Sequence, residues 1–521
     1  MKNLQRIGLI LLSIGFIGFN AILFTGPFVL ESVHVESALS EKQKENLQDL
    51  LEEEVIGKEF VTSFGISSAI VSLYQQKNQE LKDAQLWDKV MYTSPQDFAF
   101  PLVKKASRSG VTQDAGYFWL SIGLMVLGGL AFILPQLKLL GYKGIKNNGI
   151  YHRNLSNRKV PAYLLGAYLI AFYILLYWFP AYIVNWVYLV DGLSLALSGN
   201  PASQWFLYGF LYCVVMLVMG VRMFIKYRHS KYQMLRTFSV LFFQLSFAFI
   251  IPEILVRFNH PYMDFKNAWP LDYDFFFGWN IDQMLADGTF GLFMLIWGIA
   301  LASIGIPVIT YFYGKRWYCS WVCGCGGLAE TAGDPFRQHS DKSLKAWKIE
   351  RWMVHGVLVI AVLMTGATLY SYFSGNDKVF GIATYDIQKS YGFLIGSAFA
   401  GVVGTGFYPV MGNRVWCRFG CPLAAYLGLV QRFKSRFRIT TNGGQCISCG
   451  NCSTYCEMGI DVRWYAQRGQ NIVRSSCVGC GVCSAVCPRG VLKLENGPEE
   501  KRINDDPILI GQNQIHLNQK I

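Results

Sequence analysis

Cys446-Ile-Ser-Cys449-Gly-Asn-Cys452-Ser-Thr-Tyr-Cys456 and Cys477-Val-Gly-Cys480-Gly-Val-Cys483-Ser-Ala-Val-Cys487-Pro488 carry one spacing, Cys-x2-Cys-x2-Cys-x3-Cys, twice in succession. Each iron of a cubane takes one thiolate, and residues at i, i+3 and i+6 wrap three corners from a single backbone, so the fourth thiolate comes from elsewhere. The spacing therefore reads as a two-cluster iron–sulfur signature. Zinc ribbons and disulfide frameworks also use short Cys-x2-Cys pairs, but two tandem runs of four with identical spacing argue against both. Gly450, Gly479 and Gly481 lie inside the binding loops, where backbone amides must approach cluster sulfides. Glu457 stands where the first run would carry the proline that closes the second.

In the bacterial ferredoxin arrangement the fourth cysteine of each run crosses to the other cluster. That assigns Cys446, Cys449, Cys452 and Cys487 to cluster one, and Cys477, Cys480, Cys483 and Cys456 to cluster two.

Working outward, the chain of 521 residues is 52% hydrophobic and 15% aromatic, too apolar for an ordinary soluble protein. Apolar runs long enough to cross about 30 Å of hydrocarbon recur near 7–29, 117–136, 160–184, 205–225, 238–256, 289–312, 352–373 and 391–411. The expectation is a polytopic α-helical membrane protein of about eight spans. Basic residues set the orientation: segments 137–159, 226–237 and 313–351 hold 17 Lys and Arg, whereas 185–204, 257–288 and 374–390 hold 4. An even number of spans then places both termini and the cysteine runs in the cytoplasm of a multi-pass inner-membrane protein. The net charge of +13 belongs to these loops; no basic stripe interleaved with stacking aromatics points to nucleic acid. Thirteen of the 14 cysteines fall on the cytoplasmic side of this topology, Cys213 lies in the fourth span, and residues 31–115 have none. Thiols kept in a reducing compartment suit metal sites better than structural bridges.

The segments divide into an uncleaved N-terminal anchor (1–30), a small extracytoplasmic helical module (31–115), a three-span region (116–236), a four-span region (237–437), the two-cluster α+β domain (438–495) and a tail (496–521). Ser40 with Gln43 predicts a capping box opening one helix of the module, and a second helix is expected near 67–90. The loop Arg257–Gly288, with His260, Tyr262, Trp269 and Asp272, reads either as an interface anchor or as a surface for a partner or a quinone head group. Glu253 and His355 are the ionisable residues in the hydrocarbon zone, each near the end of a span where snorkelling competes with proton transfer.

The exits of the sixth and eighth spans contain a further repeat. Gly314-Lys-Arg316-Trp-Tyr318-Cys319-x3-Cys323 matches Gly412-Asn-Arg414-Val-Trp416-Cys417-x3-Cys421, as parallel hairpin repeats would. Such symmetry is expected to bring Cys319, Cys323, Cys417 and Cys421 together at the cytoplasmic ends of the spans, as a further metal or redox site. Arg316 and Arg414 are expected beside the thiols, lowering their pKa. The first copy departs from the second in carrying Gly324 and an extra Cys325 where the second has Pro422.

With these residues in view, the second half of the chain resembles the membrane polyferredoxins of the NapH and NosR type. The resemblance rests on Cys319-x3-Cys323, Cys417-x3-Cys421-Pro422 and both ferredoxin runs. It implies two [4Fe-4S] clusters, electron transfer between the quinol pool and a redox enzyme or carrier subunit, and a place as the electron-transfer subunit of a quinol dehydrogenase. A weaker similarity to CcoG-type oxidase-assembly proteins implies reduction of a metal ion such as copper instead. The chain ends 34 residues after Cys487, which is short for the additional domain of that family. A redox-sensing membrane protein is the third reading. No Cys-x-x-Cys-His is present and His355 has no partner histidine in the spans, so no haem is expected. Residues 31–115 lack a flavin-attachment pattern, so no flavin is expected either.

Overall fold

The computed structural model describes residues 2–108, 110, 114–135, 158–442, 445–496, 510–511 and 514–515. Most of the basic segment 137–159 and of the tail 496–521 lies outside them. The chain forms two compact units, residues 1–137 with 171–214, and residues 138–170 with 215–521.

In the first unit the N-terminal helix Lys2–Ala21 lies against Gly116–Ile133. Small residues let the backbones meet: a Cβ on Gly8 would stand 2.7 Å from the Gly128 carbonyl oxygen, and one on Gly15 would stand 2.6 Å from that of Ser121. The predicted capping box is present, Ser40 with Gln43 opening Glu41–Glu54. The next helix runs Ser63–Asp83, earlier than its hydropathy suggests, because Thr62 caps it by accepting from the Gly65 amide. A third helix, Pro95–Ala106, begins with proline in its first turn. Leu47, Leu51, Ile66, Ile70, Phe98 and Leu102 from these three helices form one core.

The second unit contains the long helices Lys231–Arg257, Thr289–Tyr313 and Leu344–Ser374. Across the described residues seven helices are long and apolar enough to cross a membrane, or eight if the bent pair Pro180–Tyr188 and Asp191–Leu197 is one span. The expected span near 391–411 is not among them. It is helical, wound in a wide π-helical stretch over Gly392–Val403, but the helix opens on the polar turns Thr384–Tyr391, with Asp386 and Lys389, and breaks at Phe407 before Tyr408–Met411. Beyond it, strands Phe437–Thr441 and Leu492–Asn496 pair antiparallel, from Phe437 opposite Asn496 to Thr441 opposite Leu492. This ribbon closes off the segment that carries both cysteine runs.

Candidate iron–sulfur centres

Cys446, Cys449, Cys452 and Cys487 line one cavity, together with Gly450, Arg463 and Pro488. The last cysteine of the second run thus joins the first three of the first run. Cys480, Cys477, Cys456 and Cys452 all lie close enough to Cys483 to act on it electrostatically. Gly450 and Gly481, at φ +78° and +73°, open the short helices Asn451–Thr454 and Val482–Ala485 on which Cys452 and Cys483 sit.

The repeated motifs have the same local structure. Each begins at a glycine in the left-handed region, Gly314 at φ +67° and Gly412 at φ +94°, which reverses the chain as the preceding helix ends. Each first cysteine then lies on a short helix, Arg316–Cys319 or Val415–Phe419. Each second cysteine occupies the N-cap of the next helix, Gly324–Glu330 or Pro422–Lys434. Even the turn bond recurs: the Cys323 amide donates to the Tyr318 carbonyl at 2.8 Å and the Cys421 amide to that of Trp416 at 2.9 Å. A Cβ at Gly412 would stand 2.4 Å from Ser340 Oγ and 2.7 Å from its backbone nitrogen. Gly412→Ala is therefore expected to cost about 1–3 kcal/mol from the backbone conformation alone, read as a lowered thermal midpoint of the purified protein.

Cys319, Cys323, Cys325, Cys417 and Cys421 line a single cavity with Tyr318 and Trp416. The four thiols singled out by the repeat are brought together, and Cys325 joins them. Its only signal in the sequence is that it breaks the repeat. Their place differs from the expectation, however. After each glycine the chain folds back alongside the spans instead of leaving their ends. Trp416 lies against Phe399, with ring centroids 5.8 Å apart, and Phe399 is twelve residues back from Met411. Tyr426 donates to the carbonyl of Ala302 at 3.1 Å, in the middle of Thr289–Tyr313. The aromatic loop after Arg257 reaches the same region. Trp269 Nε1 donates to Thr365 Oγ1 at 2.9 Å, about 14 Å inside the end of Leu344–Ser374 at 1.5 Å per residue, and Ala268 and Leu271 join the core around Tyr318, Cys319 and Cys323. The loop packs inward along the helices.

Arg414 and Arg316 part company. Arg414 Nη1 lies 3.7 Å from Cys417 Sγ and 3.2 Å from the Cys319 carbonyl oxygen. Arg316 instead turns away over the rings of Phe437 and Tyr232, 4.9 and 5.8 Å from their centroids. Lowering of the thiol pKa is also the exception. Burial pushes Cys319 up to about 12 against the pull of Lys315 and Arg414, and it raises Cys417 and Cys421 as well. Only Cys323 is drawn down, to about 6, by its hydrogen bond from Cys325.

Glu457 explains why the first run lacks its proline. It is fully buried, and its carboxylate accepts from Arg337 Nη1 at 2.7 Å and pairs with Arg414 Nη2 at 3.0 Å. Arg414 also reaches Glu330 at 2.5 Å, and Glu330 pairs in turn with Arg236. Arg337 bonds Asp334 at 2.8 Å, and Asp334 holds Arg222 and Lys226 at 2.5 and 2.7 Å. The cations hold Glu457 down at about 2 despite its burial, while burial pushes Glu330 up to about 7. One residue after Cys456, Glu457 thereby ties the ferredoxin segment to the arginine that touches Cys417. Further bonds fasten the second run to the repeat region: Ser320 Oγ donates to the Val478 carbonyl at 2.7 Å and Gln431 Nε2 to that of Cys477 at 2.8 Å. From the helix beginning at Lys231, Tyr232 and Gln233 donate to the carbonyls of Gly479 and Cys480. Residues 231–236, counted in the sequence as part of a basic loop, are helical and engaged with the second run.

These surroundings suit iron–sulfur clusters. Five buried cations, Arg222, Lys226, Arg236, Arg337 and Arg414, face three carboxylates. Arg236 Nε, Arg337 Nη2 and Arg414 Nε are buried without an acceptor among the described residues. A thiolate-ligated cluster is the anionic, hydrogen-bond-accepting neighbour that such donors lack. No three His, Cys, Asp or Glu side chains among the described residues are arranged to chelate a single ion; the thiols border cavities.

Comparison with known proteins agrees. Residues 445–492 match the 4Fe-4S dicluster domain family, and residues 291–343 and 392–440, the two copies of the repeat, each match a 4Fe-4S binding domain family. Protein YccM of Escherichia coli, named as an electron transport protein, is 28% identical over 169 residues, 28% of this chain and 43% of its own. The methylamine utilization ferredoxin-type protein MauN of Paracoccus denitrificans is 29% identical over 170 residues, 31% of this chain and 56% of its own. MauN of Methylobacillus flagellatus is 26% identical over 180 residues, 33% of this chain and 61% of its own. The chain spans about half the length of the curated relatives it matches. No solved structure matches it.

Proposed function

We propose that this protein, whose domains and relatives are those of membrane polyferredoxins and ferredoxin-type electron-transport proteins, carries electrons between the quinol pool and a redox partner through three iron–sulfur sites. When bound, the clusters supply one-electron carriers. Cys446, Cys449, Cys452 and Cys487 would hold the first, Cys477, Cys480, Cys483 and Cys456 the second. Cys319, Cys323, Cys417 and Cys421 would hold the third, with Cys325 beside it.

The observation that carries this reading is the fastening of the repeat region to the second run by Ser320, Gln431 and the Glu457–Arg414 pair. These bonds fix two thiol sets side by side, and the buried cations between them offset the negative charge that thiolates and an added electron bring. The order of sites, from repeat to second run to first run, ends at Cys449, which is exposed and suits contact with a partner. The fold-back of the motifs and the inward loop supply what span-end placement lacked, because thiols alongside the middle of the helices stand closer to the far side. With the second unit's basic helix ends in the cytoplasm, the partner at Cys449 would be cytoplasmic.

Two experiments test this. Anaerobic addition of a quinol to the purified protein is expected to bleach the cluster absorbance and produce reduced-cluster EPR signals; reduction only by a soluble donor, with copper(II) as acceptor, would favour the assembly reading. Cys456→Ala is expected to remove the second cluster's signal and leave the first, and loss of the first alone would refute the crossed ligand assignment.

A further inference from the structure

A cavity opens beside the basic end of the Leu344–Ser374 helix. Five cationic side chains line it, Lys315, Arg351, Arg418, Arg432 and Arg474, against one carboxylate, Glu350. Glu350 is committed to Arg418, whose Nε and Nη2 both stand 3.0 Å from Oε2. The other four cations have no carboxylate partner among the described residues. Lys315 is 2% exposed, and its ammonium rests on the carbonyl oxygens of Ser475 and Ala424 at 2.8 and 3.2 Å. Arg351 and Arg474 both lie over the Trp347 ring, 5.2 and 5.0 Å from its centroid, and Arg432 donates to the Val473 carbonyl. His355, on the same wall, has its Nδ1 buried without an acceptor.

Lys315 is withdrawn from water without a counter-charge, which is costly, and Arg351 and Arg432, exposed, and Arg474, half-buried, add unpaired positive charge around it, so the cavity calls for an anion. Its rim says which kind. Leu429 and Phe433 on the Pro422–Lys434 helix line the cavity and are 39% and 74% exposed, large apolar side chains at the edge of a charged hollow. A ligand with an anionic head and apolar chains meets both features, as basic pockets between membrane helices meet anionic lipid head groups. We propose that this cavity binds the phosphate head group of an anionic phospholipid, with the acyl chains running over Leu429 and Phe433.

A free phosphate shares the head-group chemistry, and the test separates the two. The full-length protein in detergent is titrated with phosphatidylglycerol, phosphatidylcholine or inorganic phosphate and read by native mass spectrometry. Phosphatidylglycerol is expected to be retained and phosphatidylcholine not. An Arg351→Gln, Arg432→Gln, Arg474→Gln triple variant should bind it on the order of a hundredfold more weakly. Lys345→Gln with Lys348→Gln, which removes exposed cations of the same helix outside the cavity, should bind as the parent does. Unchanged iron content shows that the triple variant is folded; if it is not, Arg432→Gln alone carries the test with a loss of about fivefold. Equal retention of phosphatidylcholine, an equal loss in the Lys345/Lys348 variant, or displacement of the lipid by millimolar inorganic phosphate overturns the proposal.

Discussion

Glu457→Ala is expected to destabilise the protein by about 3–5 kcal/mol, the usual consequence of removing one partner from a buried ion pair. The loss is large because the carboxylate serves two arginines, Arg337 and Arg414, neither of which is more than 1% exposed. Without it Asp334 and Glu330 alone face five cations in a region water does not reach. Glu457→Gln keeps the shape and one acceptor but not the charge, so it should fall between alanine and the parent. A proline, the residue the spacing itself would favour, should behave like alanine or worse, since it offers nothing to either guanidinium. Thermal unfolding of the three variants, followed by cluster absorbance and by circular dichroism, measures the order. A Glu457→Ala protein as stable as its parent would mean that the ion network is not a fastening.

The second large effect is expected at the repeat. Replacing Cys319 and Cys417 together by serine removes one thiol from each copy while preserving their size, and all five thiols share one cavity, so an entire site should be lost. Quinol-driven reduction should then fail, while a soluble reductant still reduces the clusters of Cys446–Cys487. Both runs should assemble, because the bonds that hold them come from Ser320, Gln431, Gln233 and Glu457 and not from Cys319 or Cys417. Cys325→Ser tests a narrower point. As the residue that hydrogen-bonds Cys323, it should alter the spectrum of the site without abolishing it, unless it is itself a ligand.

The ferredoxin segment was legible because ligand spacing is a local property of the chain: Cys446 to Cys487 announce their geometry without knowledge of any other element. The meeting of the two Cys-x3-Cys motifs was legible for a related reason, since a repeat in sequence implies a repeat in structure. Its depth was not. Fold-back depends on Gly314 and Gly412 adopting positive φ and on Phe399 and Ala302 offering a surface to pack on, and neither shows in hydropathy. Glu457 looked like a small departure from a motif, and its reason lies in Arg337 and Arg414, which are remote in sequence. Charge counting met a similar limit. Lys226, Arg236 and Arg337, tallied as basic loop residues, are buried ion-pair partners, and Arg316 covers aromatic rings. A count of cations does not distinguish those that face lipid head groups from those that hold the fold together. The bounds of the helix at the eighth expected span, opening on Asp386 and Lys389 and breaking at Phe407, do not show in an apolar run either.

The central claim is that the repeat holds a cluster of its own, and iron analysis tests it most directly. Anaerobically purified full-length protein should contain about twelve iron and about twelve acid-labile sulfide per chain, three cubanes in all, and the Cys319→Ser, Cys417→Ser variant about eight of each. About eight in both proteins, with unchanged EPR spectra, would contradict the account and leave the repeated cysteines as thiols without iron.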